Sequence, residues 1–161
     1  MRSLFAFPNP VNEVSARLVA GGVVVMTVLV LGLGWHWLLI PLAYGFLARV
    51  LTGPTLSPLG QLVTREIAPR LHVNKPVPGP PKRFAQGIGA TLTVSAVVLH
   101  FGFGATTAAD ALVAMVLVAA TLESVFAYCV GCKLFAVLMR AGVIPADVCE
   151  ECNNIWGRAA A

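Results

Sequence analysis

AADALVAMVLVAATLESVFAY, residues 108–128, is a mostly apolar run whose only charged residues are Asp110 and Glu123. At about 1.5 Å of rise per residue, a helix of this length reaches across roughly 30 Å of hydrocarbon. Working outward, three more stretches have the same character: 17–34, 35–51 and 84–103, the second at the lower end of the required length. The chain of 161 residues is 58% hydrophobic and 11% charged, against about 25% charged for soluble domains. These features predict an all-α membrane protein with four transmembrane helices in a bundle over residues 1–128 and a Cys-rich tail module over 129–161. No separate soluble domain of ordinary size fits in the remainder. The first apolar run is too long for a signal-peptide h-region and is read as a retained span.

The eleven Lys and Arg residues set the expected orientation. Arg2 and Arg17 precede the first span, six cations from Arg49 to Arg83 lie between the second and third, and Lys133, Arg140 and Arg158 follow the fourth. All fall on one side of a four-span arrangement, so both termini, the central loop and the tail are expected in the cytoplasm. The net charge of +4 then suits attraction to an anionic inner leaflet; no basic-aromatic motif points to nucleic acid.

Local signals refine this plan. Asn12 is an expected N-cap, with Glu13 and Arg17 one turn apart in the favourable orientation. Pro41 is expected to kink the second span. Leu59, Leu62, Val63 and Ile67 share one face of residues 57–70, predicting a short interfacial helix in the central loop. The prolines of KPVPGPPKRF, residues 75–84, argue against regular helix and for a stiff strap. Gly87, Gly89, Ala90, Thr91, Thr93 and Ser95 suit close helix packing in the third span.

Chemistry concentrates in two C-x-x-C units, Cys129–Cys132 and Cys149–Cys152, with sixteen residues between them. This spacing fits a four-thiolate zinc site, and the tail site is read first as metal-binding, with a structural or partner-docking role. The same residues also suit a thiol–disulfide oxidoreductase in which two dithiols exchange electrons. Tyr128 before the first pair and Lys133 after it resemble a thioredoxin active-site stretch. In thioredoxins, however, the dithiol opens a helix, whereas here it follows a span, unless the chain breaks at Gly131. An iron–sulfur cluster lacks a ferredoxin spacing.

Several segments together, PVNEVSAR (10–17), PPKRFAQGIGA (80–90), LESVFAYCVGCKLF (122–135) and AGVIPADVCEEC (141–152), resemble the domain-of-unknown-function 4395 family of small bacterial membrane proteins. The resemblance covers nearly the whole chain and implies residence in a bacterial inner membrane. It also implies sulfur or thiol chemistry with a thioredoxin-like or sulfurtransferase partner.

Glu123 needs an explanation of its own, because a carboxylate inside an apolar span faces a partner or water. Pairing with Arg17 or Arg49 is the expected structural role. A proton or cation site, or a transport path through Glu123, is the functional alternative; paired broken helices that would favour transport are not evident. His36, His100 and Asp110 lie near the outer ends of spans and are expected to snorkel separately into headgroups. Phosphate-loop, H-E-x-x-H and G-x-S-x-G motifs are missing from the sequence, which removes the usual signatures of nucleotide, zinc-protease and serine-hydrolase chemistry.

Overall fold

In a computed structural model, residues 9–149 are described. Asn12 caps α1 (Glu13–Leu33), its side chain accepting from the Val14 N–H at 3.0 Å. Helix α1 ends at Gly34, whose φ of 68° is a left-handed value glycine adopts freely. A 3-10 turn (His36–Leu38) leads into α2 (Leu39–Thr52). Pro41 lies in the first turn of α2 and not at an interior kink. There it removes an N–H that has no intrahelical acceptor, so the helix tolerates it.

The central loop forms the expected helix as α3 (Pro58–Leu62), a π-helical turn (Val63–Ile67) and α4 (Ala68–Leu71). Helix α5 (Gly79–Val97) begins five residues before the expected span, inside the proline-rich strap, and ends in a π-helical turn (Val98–Gly102). Pro80 and Pro81 occupy its first turn, where missing donors and a fixed φ do little harm. Helix α6 (Thr106–Phe126) follows a tight turn, and α7 (Val130–Arg140) follows a break after α6.

Three helical segments, Glu13–Leu33, Gly79–Gly102 and Thr106–Phe126, are long and apolar enough to cross a membrane; His36–Thr52 is apolar but shorter. Helix α1 packs chiefly on α6, and α2 on α5, while α5 also touches α6 and α7. One core layer joins Val23, Leu42, Phe46, Ala90, Val116 and Ala120, and a second joins Val30, Leu39, Ala96, Ala109 and Val113. The bundle is apolar outside as well: Val25, Val28, Ile40, Leu47, Phe101, Met115 and Val118 are exposed. Apolar residues all round a helix suit a hydrocarbon solvent. Thr27 and Thr93 are fully buried and bond back to carbonyls of their own helices, at 2.9 Å and 2.8 Å for Val23 and Gly89. Gly89 permits α5 to lie on α2, since a Cβ there would collide with the Phe46 ring.

The chain before α1 is stitched to the strap before α5. Val11–Asn12 (β1) pairs antiparallel with Pro76–Val77 (β2). Asn12 Nδ2 donates to the Val73 carbonyl at 3.2 Å, and Glu13 pairs with Lys75 at 2.8 Å, not with Arg17 as its helical spacing suggests. Arg17 instead donates to the Ser124 and Val125 carbonyls at the end of α6, which satisfies acceptors that the helix itself leaves open. Asn12→Ala removes the cap and the side-chain bond to the Val73 carbonyl together and is expected to cost about 1–2 kcal/mol, read as a lower unfolding midpoint in mixed micelles.

Candidate functional site

Where α6 gives way to α7, Ala127 takes φ 56°, a left-handed value that ends the helix. Two residues later Cys129 is extended and becomes the N-cap of α7, its sulfur accepting from the Cys132 N–H at 3.2 Å. The first C-x-x-C unit therefore opens a helix, and the break falls ahead of the pair and not at Gly131. Cys129 and Cys132 are joined by a disulfide with their Cα atoms 5.2 Å apart. Cys129 is buried at 9% exposure and Cys132 is half-buried, while Tyr128 and Val130 beside them are exposed. Lys133 Nζ stands 5.7 Å from the Tyr128 ring centroid.

Gly131 determines how the helix start is seated. A Cβ there would meet Ala85 Cα at 2.6 Å, so only glycine lets the first turn of α7 lie directly on α5. One turn further on, Phe135 packs edge-on against Phe84 of α5, with centroids 5.6 Å apart. Cys149 is buried against the same Phe135, with Met139 and Ile144 at the edge of the cluster. Cys149 is in the disulfide state as well. Cys152 lies outside the described residues. Among the described residues no three His, Cys, Asp or Glu side chains are grouped as metal ligands.

Glu123 is paired, but with Lys82 of α5: Nζ donates to Oε1 at 2.5 Å, and the two side chains are 11% and 14% exposed. Arg49 of α2 is 6% exposed, donates from Nε to Gln86 Oε1 at 2.9 Å and from Nη1 to Ser57 Oγ at 3.3 Å, and lies over the Phe46 ring at 4.5 Å. Its Nη2 is buried without a hydrogen-bond partner among the described residues. Two of the cavities that Arg49 lines also border Gln86. One, of about 190 Å³, is lined by Arg49, Lys82 and Gln86 together with Asn12, Ser15 and Ala16. The other, of about 70 Å³, is lined by Arg49, Gln86 and Glu123 and reaches Cys129 and Gly131.

Each residue of Lys82-Arg83-Phe84-Ala85-Gln86 thus has a contact that organises the site. Lys82 holds Glu123, Arg83 donates to the Val50 carbonyl at 2.9 Å, Phe84 meets Phe135, Ala85 seats Gly131 and Gln86 positions Arg49. A family model described as a domain of unknown function, DUF4395, matches residues 11–140. The chain belongs to the DUF4395 family. The match takes in the β1 stitch, Lys82–Gln86, Glu123 and the first cysteine pair, and stops before Cys149. For this DUF4395 member no curated protein and no solved structure matches.

At the other end of the bundle, His36, His100 and Asp110 converge instead of standing apart. His36 Nε2 is 2.9 Å from Asp110 Oδ1, its ring stacks on His100 at 4.2 Å between centroids, and His100 Nδ1 is 3.3 Å from Thr106 Oγ1. These contacts tie the α1–α2 turn to the α5–α6 turn, and no spacing within the sequence brings such distant residues together.

Sequence patterns missed Lys82 and Gln86 and gave Arg49 only a passing role. The available signal was a polar cluster at the mouth of a span, where side chains must find partners on other helices. Lys82→Met leaves Glu123 buried and unpaired and is expected to destabilise the bundle by about 3–5 kcal/mol, with much of the loss recovered by adding Glu123→Leu. Equilibrium unfolding of the single and double variants checks this. Gly131→Ala should lift α7 from α5 and expose Phe135, read as faster amide exchange in residues 130–140.

Proposed function

We propose that this chain is a membrane thiol–disulfide oxidoreductase whose working dithiol is Cys129–Cys132, serving a thioredoxin-like or sulfurtransferase protein. The observation that carries this is Cys129 at the N-cap of α7, with the Cys132 N–H directed at its sulfur at 3.2 Å. A helix N-terminus presents unpaired N–H groups and positive dipole charge, which favour a thiolate there. In the reduced protein the Cys129 thiolate attacks one sulfur of a partner disulfide, forming a mixed disulfide and releasing the other partner sulfur as a thiolate. Cys132, deprotonated, then attacks Cys129 Sγ, closing the intramolecular disulfide and releasing the partner as a dithiol. Two electrons pass to the partner, and the two protons lost from the cysteines balance those the partner gains. The reverse sequence reduces the pair. Exposed Tyr128 and Val130 supply the surface on which the partner bears.

The arrangement we infer around this dithiol has four spans, with His36–Thr52 as the short one, both termini and the cysteines in the cytoplasm, and the protein in a bacterial inner membrane. Its support is the one-sided placement of the Lys and Arg residues and the apolar exterior of the bundle. Under this arrangement α3, the π-helical turn and α4 lie along the inner leaflet.

A second reading is a structural zinc site of Cys129, Cys132, Cys149 and Cys152 in the reduced protein. It is favoured by Cys149 packing on Phe135 of the same helix that Cys129 opens, which draws Cys149 toward the first unit.

Cys132→Ser is expected to accumulate a mixed disulfide through Cys129 when expressed in cells, and Cys129→Ser to accumulate none through Cys132, as read by mass spectrometry of adducts under non-reducing conditions. Failure of Cys132→Ser to trap any adduct would count against the redox function. About one zinc per chain in anaerobically purified protein, lost on replacing any of the four cysteines, would instead select the structural site.

A further inference from the structure

Two imidazoles share one carboxylate at the end of the bundle away from the cysteines. His36 Nε2 is 2.9 Å from Asp110 Oδ1, with the two side chains 19% and 36% exposed. The His36 ring lies nearly parallel on His100, at 12° between planes and 4.2 Å between centroids. The other contacts of His100 are uncharged: Thr106 Oγ1 is 3.3 Å from its Nδ1, and the Phe101 ring meets it edge-on at 4.7 Å. Residues 24–48 and 88–122, which supply the described elements around this group, contain no other Asp, Glu, Lys, Arg or His. The one tyrosine among them, Tyr44, donates its hydroxyl to the Leu56 carbonyl beyond the far end of α2.

The charge count of the group depends on how many protons the two rings hold. A single proton fits the geometry, because on His36 it forms an ion pair with Asp110. A second, on His100, sets two imidazolium rings face to face with one counter-charge between them, and like charges this close repel. The stack exists only where the 3-10 turn between α1 and α2 meets the π-helical turn that ends α5. Separating those turns relieves the repulsion. Beneath them lies the buried layer of Val30, Leu39, Ala96, Ala109 and Val113.

We propose that His36, His100 and Asp110 form an acid-sensitive latch, which holds the α1–α2 turn on the α5–α6 turn with one proton and releases it with a second. The released state binds one proton more than the closed state, so the closed state loses stability as pH falls. The window is the one in which histidine takes up charge, between about pH 5 and 8. Within it, a difference of one proton raises the opening constant by up to about tenfold for each pH unit. Under the arrangement inferred above, this end faces outward and the latch answers to the external medium. It rests on neither the dithiol nor its partner.

The test is amide hydrogen exchange of the full-length protein in nanodiscs across that pH window, corrected for the intrinsic pH dependence of exchange. Protection of residues 34–39 and 98–106 is expected to fall at least tenfold between the alkaline and acid limits, while that of residues 111–126 changes little. His100→Phe keeps an aromatic ring in the stack but cannot take the second proton, and is expected to leave protection independent of pH. Asp110→Asn removes the counter-charge, so the first proton already opens the latch and the loss of protection moves to higher pH. This second variant keeps the test decisive if His100→Phe packs poorly. Protection of the wild type that does not change with pH, a pH dependence that persists in His100→Phe, or one that Asp110→Asn leaves in place overturns the proposal.

Discussion

A carboxylate can remain inside this apolar bundle because a lysine from the neighbouring helix reaches it. The Lys82–Glu123 pair fixes α5 against α6 at the end where α6 stops. With α5 in that position, Ala85 lies under Gly131 and Phe84 lies against Phe135. The first turn of α7 is thereby held on a rigid helix instead of hanging from a loop. Placing Cys129 at the start of that helix is a consequence of the pair as much as of the break at Ala127.

The apolar spans were legible because solvent sets composition: a helix surrounded by hydrocarbon has to be apolar on every face, and residues 108–128 state this without any partner. Their ends were less legible. The third span began early because Pro80 and Pro81 suit the first turn of α5, although the same residues inside a helix would break it. Asn12 was recognisable as a cap because capping is local chemistry between residues two or three apart.

The site itself was legible in its cysteines and obscure in its geometry. Ala127 turns left-handed with no glycine, asparagine or proline to announce it, so the C-x-x-C unit read as the tail of α6 when it is the head of α7. The partner of Glu123 was misassigned because Arg17 and Arg49 lie at span ends in sequence, while Lys82 enters the bundle only through the early start of α5. Arg17 is occupied by the open carbonyls of α6, a use of arginine that no residue pattern marks. The His36–His100–Asp110 cluster depends on packing the two hairpin turns together and has no local signature.

The proposed function requires the Cys129–Cys132 pair to work as a single redox couple. Full-length protein in nanodiscs, equilibrated across glutathione redox buffers and read by differential alkylation with peptide mass spectrometry, tests it directly. The prediction is that Cys129 and Cys132 oxidise together and reversibly in one two-electron transition, at a potential within the range of about −270 to −120 mV spanned by thioredoxin-like oxidoreductases. Thiols that remain reduced throughout, or that react only after a chelator has removed a bound metal, would contradict it.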